Sequence, residues 1–205
     1  QNETAQGALN WNDVSEAMQC TLPAIGWGSV FADFDNDRDL DLYLATVNDQ
    51  PGLSNRLYRN EFPQPFDDVS AHTGAADTGP TIGVARADYD ADGRVDLVIG
   101  NMGSGYRLFR NVTPTSGHWL QVELEGGGTV NRNAVGARAV LLLDDGRELH
   151  REVRIGESIG AGHGRELHFG LGEAAPLRLR VEWPNGDLQH LEKPPLNRRV
   201  HLRSA

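Results

Sequence analysis

Two short acidic runs hold the residues best suited to chemistry. The first reads Asp33-Phe34-Asp35-Asn36-Asp37-Arg38-Asp39-Leu40-Asp41, and the second Asp88-Tyr89-Asp90-Ala91-Asp92-Gly93-Arg94-Val95-Asp96. Both place carboxylates at positions 1, 3, 5 and 9. In a tight loop, alternation turns positions 1, 3 and 5 toward one centre. Calcium takes about six to eight oxygen ligands, and such a loop supplies them from carboxylates plus a backbone carbonyl at position 7. The spacing therefore predicts two structural Ca²⁺ ions per chain. Asp33, Asp35, Asp37 and Asp41 would hold one and Asp88, Asp90, Asp92 and Asp96 the other, with the carbonyls of Asp39 and Arg94 at position 7. Asp41 and Asp96 are the candidate bidentate ligands. Without a cation, two carboxylates about 5 Å apart repel by roughly 3 kcal/mol at an effective dielectric near 20. Magnesium suits the loops less well, since it prefers a smaller octahedral shell rich in water. An EF-hand would need Glu at position 12, where these loops have Leu44 and Ile99.

Other reactive types do not form a catalytic set. A glycoside hydrolase needs a pair of carboxylates, but the tight Asp clusters are better explained as metal ligands. His72, His118, His150, His163, His168, His190 and His201 show no His-Glu-x-x-His spacing. Ser15, Ser70 and Ser158 lack the setting of a nucleophile elbow. Gly160-Ala161-Gly162-His163-Gly164 precedes a strand-like run instead of a helix, so it reads as a β-turn and not as a phosphate loop. Trp11, Trp27, Trp119 and Trp183 are expected in β cores, with stacking on sugar as the alternative. No catalytic residue and no organic cofactor are predicted.

The segments that must position these loops are strands. Runs at 40–45, 95–99, 119–124, 139–143 and 177–183 mix alternation with aliphatic residues, and Gly, Asp or Asn clusters separate them. With 24 Gly and 10 Pro, the composition fits a turn-rich all-β protein. Residues 13–19 could add a helical turn or two. Internal repetition organises the first half. Trp11-Asn12-Asp13-Val14-Ser15 matches Phe66-Asp67-Asp68-Val69-Ser70 at an offset of 55, as do the acidic runs. Arg56-Leu57-Tyr58-Arg59-Asn60 matches Arg107-Leu108-Phe109-Arg110-Asn111 at 51, the difference lying in residues 48–55. Residues 112–117 read as a linker. The expected organisation is two repeats (about 11–61 and 66–112) within 1–116, then a small antiparallel sandwich or barrel over 117–205, whose Asp145-Gly146 and Asn185-Gly186 pairs signal hairpins.

The formal net charge is -10, with 29 acidic residues against 19 Lys and Arg, which argues against nucleic acid as a partner. Nine of the acidic residues lie in the two runs, so the rest of the chain is close to neutral. The lone Cys20 allows no intrachain disulfide and reads as a small buried hydrophobe, with an intermolecular disulfide as the alternative. No apolar run reaches the roughly 18 residues of a membrane span. Asn2-Glu3-Thr4 and Asn111-Val112-Thr113 match the N-glycosylation pattern.

Residues 26–44, beginning Gly26-Trp27-Gly28-Ser29-Val30-Phe31-Ala32-Asp33, resemble the FG-GAP (VCBS) repeat of integrin α-chain propellers and secreted bacterial proteins. Residues 83–99 resemble a second copy. The C-terminal part resembles the ASPIC/UnbV domain that follows such repeats in the cartilage acidic protein family. Its marks are His118-Trp119-Leu120, Asn131-Arg132 leading to Val135-Gly136-Ala137, Leu167-His168-Phe169-Gly170-Leu171-Gly172 and Val181-Glu182-Trp183-Pro184-Asn185-Gly186. The chain departs from the family in having Asn133-Ala134 for the usual Asp-Gly, and only two repeats. The resemblance implies an extracellular or cell-surface, calcium-dependent adhesion or matrix protein. Propellers close with about four to eight blades, so two repeats leave faces for a partner to cover. The chain begins with about ten polar residues before Trp11, which suits a segment that docks on a neighbour. Other copies of the chain, in an oligomer or filament, are the expected partners. The alternative is a carbohydrate- or protein-binding fragment of a longer propeller.

Overall fold

The computed structural model describes residues 2–5, 8–47, 53–114 and 117–205, and the side chains among them except those of residues 2–5 and 8–10. The fold is all-β. A hairpin, β1 (Asn2–Ala5) with β2 (Ala8–Trp11), precedes two repeat sheets. The first contains β3 (Ile25–Ala32), β4 (Asp41–Val47), β5 (Arg56–Arg59) and β6 (Asp67–Asp68) in sequential order. One turn of helix, α1 (Ser70–Thr73), then leads to the second sheet of β7 (Thr81–Ala87), β8 (Asp96–Asn101) and β9 (Gly105–Phe109). Residues 13–19 form a hydrogen-bonded turn in which the Met18 and Cys20 amides donate to the Val14 and Ser15 carbonyls. Of the 48–55 difference between the repeats, residues 48–52 lie outside the described residues, as do 115 and 116 of the linker.

The remaining strands are β10 (His118–Glu125), β11 (Arg138–Leu143), β12 (Glu148–Glu152), β13 (Leu167–Gly172), β14 (Pro176–Glu182), β15 (Leu188–Glu192) and β16 (Arg198–Arg203). They form a sandwich of two sheets, ordered β13-β10-β16 and β12-β11-β14-β15, with no closed barrel. All pairs are antiparallel except β10 with β16. Alternation fills the space between the sheets. Leu120, Val122 and Leu124 of β10 point inward, against Leu141 and Leu143 of β11, Phe169 of β13 and Leu179 of β14. A second core lies under the repeats, built from Val30, Tyr43, Ala45, Val84, Leu97 and Ile99.

The tryptophans depart from expectation. Only Trp183 is buried, while Trp11 and Trp27 stay 72% and 44% exposed. Cys20 is only half-buried, and its thiol lies 3.6 Å from the Ser15 carbonyl oxygen. Asn111 does not offer a free amide for a glycan, because its Nδ2 donates to the Phe34 and Val95 carbonyls. The Asn2 side chain lies outside the described residues.

Candidate metal centres

Each acidic loop joins the first two strands of a repeat, β3 to β4 and β7 to β8. The two turns have the same hydrogen-bond design. Asp33 accepts the amides of Asp37 and Arg38 at 3.1 and 2.9 Å, and Asp88 accepts those of Asp92 and Gly93 at 3.1 and 2.9 Å. Asp41 accepts the Phe34 and Asn60 amides, and Asp96 those of Tyr89 and Asn111. The position 5 carboxylates take the position 7 amides, Asp39 onto Asp37 and Arg94 onto Asp92. Positions 4 and 6 are left-handed in both loops: Asn36 and Ala91 have φ of 62° and 59°, Arg38 and Gly93 of 91° and 86°. Arg38 thus adopts a backbone that ordinarily favours glycine.

This scaffold gathers carboxylate oxygens. One oxygen each from Asp33, Asp35 and Asp37 lie within 4.8 Å of one another, as do oxygens of Asp88, Asp90 and Asp96. The loops differ at position 5. Asp92 is ion-paired to Arg94 and, at 3.3 Å, to Arg110, which also holds Asp90 at 2.7 Å. Both oxygens of Asp41 and Asp96 already accept amides, so each keeps only one further lone pair for a cation. An all-oxygen, carboxylate-rich donor set suits a hard cation such as Ca²⁺. Asp33, Asp35 and Asp37 would hold one ion, and Asp88, Asp90 and Asp96 the other. Burial, opposed by backbone hydrogen bonds, pushes the carboxyl of Asp33 up to about 7, of Asp41 up to about 8 and of Asp37 up to about 6. Neighbouring carboxylates add to each shift. A bound cation would supply the missing counter-charge.

The loops do not face open solvent alone; they dock on the outer face of the β13-β10-β16 sheet. Alternation explains which residues meet them. Leu167, Phe169 and Leu171 fill the sandwich core, so His168, Gly170 and Gly172 of β13 meet the first loop. His168 Nε2 donates to Asn36 Oδ1 at 2.7 Å, and the Gly172 amide donates to the Asn36 carbonyl at 2.8 Å. A Cβ on Gly170 would stand 2.0 Å from Asp33 Oδ2. On β10, Trp119 and Gln121 meet the second loop in the same way. Gln121 Nε2 donates to Asp88 Oδ2 at 2.5 Å, while its Oε1 accepts Arg199 Nε and Nη2 at 3.0 and 2.8 Å. A Cβ on Gly93 would stand 2.0 Å from Trp119 Cε2. Asn36 Nδ2 then crosses from the first loop to the Gly93 carbonyl of the second at 3.1 Å. Burial, reinforced by Arg151 and Arg86, holds the His168 imidazole down at about 3, so it stays neutral and donates from Nε2. Arg38 Nη1 pairs with Asp145 Oδ2 at 2.6 Å, giving its strained backbone a tie to the sandwich.

Several of these residues escape sequence reasoning. Asn60 and Asn111 end the matched Arg-Leu-aromatic-Arg-Asn runs, and their amides anchor the position 9 carboxylates while their side chains cap the carbonyls of Leu40 and Val95. Their recurrence was the available signal. His168 and Gln121 had only their outward places on β13 and β10 to mark them. The turn at 158–161, closed by a bridge between Ser158 and Ala161, crosses the repeats: Ser158 Oγ accepts the Val84 amide at 3.2 Å.

Residues 33–99 match the FG-GAP-like repeat family, and residues 127–205 match the ASPIC and UnbV family. The chain is 26% identical over 197 residues to cartilage acidic protein 1 of Xenopus tropicalis, covering 89% of this chain. To the proteins of the same name from Mus musculus and Homo sapiens it is 27% and 26% identical over 200 residues, or 90% of the chain. It spans only 29% of the length of each of these curated relatives.

Proposed function

We propose that the chain is a non-enzymatic, calcium-stabilised adhesion or assembly module of the extracellular space. The observation that carries this reading is the duplicated loop: two turns with the same amide ladder, the same pair of left-handed residues and a carboxylate group of the same size. The name of the relatives and the two family matches favour a matrix setting. Calcium is abundant there, so sites of roughly 10⁻⁴ to 10⁻³ M affinity stay filled. The ions stiffen the loops and, through Asp33 and Asp88, the seam with the sandwich. Calorimetric titration of the metal-stripped chain tests this. Two calcium sites are expected, with Asp35→Asn removing one and Asp90→Asn the other. Those position 3 residues suit the test because they do not carry the amide ladder of positions 1 and 9. Absence of saturable calcium binding in the wild type sinks the reading.

A second reading shares the same chemistry. Tyr106 and Leu108 of β9 are 86% and 52% exposed, on the face they share with Val98 of β8. An uncovered apolar sheet face of this kind suits either another copy of the chain or further repeats of a longer propeller.

A further inference from the structure

The seam between the repeats and the sandwich holds a half-open cavity of about 460 Å³, which reaches the first acidic loop only at Leu40 and the second not at all. Arg86 of β7 and Arg151 of β12 line it, together with Glu152, Arg154, Glu157 and His163. Glu157 and Glu166 act on Arg86, and Asp33 on Arg151, but only across space, and no carboxylate of a described residue forms an ion pair with either guanidinium. The Arg86 guanidinium makes no hydrogen bond or ion pair with any described residue, and its Nε is sealed from water without an acceptor. Arg151 Nε and Nη1 donate to the carbonyls of His168 and His150 at 2.8 and 2.9 Å, which leaves Nη2 buried and unmatched. His163 Nδ1 is likewise buried without a partner.

The nearby carboxylates have closer partners than the two guanidiniums, Asp33 accepting the Asp37 and Arg38 amides. Glu152 pairs with Arg154 at 3.1 Å, Glu157 lies 3.7 Å from His163 and 4.0 Å from Arg154, and Glu166 accepts the Asp88 amide at 3.3 Å. Two guanidiniums facing one cavity repel each other, and an unmatched buried charge is costly. Burial lowers the pKa of Arg86 against the opposing pull of Glu157 and Glu166, and burial takes Arg151 down to about 10, opposed by Asp33 and assisted by Arg86. The repeat fold does not require this charge. At the offset of 55 the first repeat has Phe31 where the second has Arg86.

We propose that this cavity is an anion site, in which Arg86 and Arg151 hold an oxyanion, a carboxylate or a sulfate group, carried by a small molecule or a sugar unit. Planar guanidiniums with free N–H groups match such oxygens in pairs. Arg86, tethered by no hydrogen bond, turns to meet the ligand while Arg151 is held by its two carbonyls. The volume exceeds that of one oxyanion and admits its bearer.

The test is thermal melting of the full chain in millimolar calcium. Sodium sulfate, sodium acetate and sodium glucuronate are each compared with sodium chloride at matched ionic strength. The expected result is a saturable rise in Tm with at least one oxyanion. The responding arm identifies the source: sulfate alone means a sulfate ester, acetate or glucuronate a carboxylate. Arg86→Met should melt higher than wild type in chloride, because it removes an unmatched buried charge, and should weaken the oxyanion response at least tenfold. Arg86→Gln, which keeps a polar side chain, should show the same weakened response. No saturable rise in wild type overturns the proposal. So does a rise that survives undiminished in both variants, which would mean an adventitious ion only.

Discussion

Asp33 and Asp41 are carboxylates that folding buries, and their acid–base behaviour gives the loops a measurable signature. Their folded values, about 7 and about 8, lie above the ordinary carboxylate range near 3.9. An acid whose pKa rises on folding binds more protons folded than unfolded, so stability falls as pH climbs from the unfolded value through the folded one. His168 has the opposite sign. Held at about 3, it adds stability that is lost as pH falls below its ordinary value of about 6.5. Between about pH 6.5 and pH 8 the carboxylates therefore act without that opposition. In chelator, Tm should fall across this window, whereas millimolar calcium, which takes the deprotonated form, should remove the fall. A chelated protein that melts as high at pH 8 as at pH 6.5 would contradict the assignment of these carboxyls as metal-free buried acids.

At the scale of elements, β13 shows why the sequence could be read only in part. Its alternation sends Leu167, Phe169 and Leu171 into the sandwich core, yet His168 and Gly170 on the opposite face are buried too. What the other face meets depends on a neighbour more than a hundred residues away in sequence, and no local period encodes that. The acidic spacing was legible because each loop builds its own turn from local hydrogen bonds. The sandwich docking was not, since the contact of Gly170 with Asp33 and of Gly93 with Trp119 appears only in three dimensions. The diversion of Asp92 to Arg110 was hidden for the same reason. Gly170 offers a probe of this seam because its backbone is not in the left-handed region; an added methyl would stand 2.0 Å from Asp33 Oδ2 and 2.6 Å from Asn36 Cα. Gly170→Ala should destabilise the protein by ~1–3 kcal/mol, as overpacking does, and weaken the first calcium site. Gly162→Ala, whose methyl would meet nothing within 4 Å, serves as control and should shift stability by less than about 0.5 kcal/mol. Equal melting and equal calcium affinity for Gly170→Ala and wild type would show that the loop does not depend on the sandwich.

For the whole molecule, the question is what covers the outer side of the second repeat. The sandwich buries one side of the loops, but β9 is an edge strand, paired among the described residues only with β8, and Tyr106, Leu108 and Val98 stand out on its face. An exposed edge beside an apolar face is a template for pairing with another chain. Its charges do not prevent this, since Arg107 pairs with the buried Asp77 at 2.8 Å and so points one cation of the strand back toward the repeats. A contact made by this face against a different face of a second copy has no two-fold symmetry, and it propagates into a ring or a filament. A calcium ion in the second loop would favour such a contact indirectly, because β8 begins at Asp96 of that loop and an ordered loop fixes the start of the sheet. Light scattering of the purified chain should therefore show a mass that grows with protein concentration in millimolar calcium and shrinks in chelator. Replacing Tyr106 and Leu108 together by Ser should hold the chain at the monomer mass without changing its calcium stoichiometry. A wild-type chain that remains a monodisperse monomer at every concentration in calcium would remove self-assembly, and would assign the uncovered face to further repeats of a longer protein.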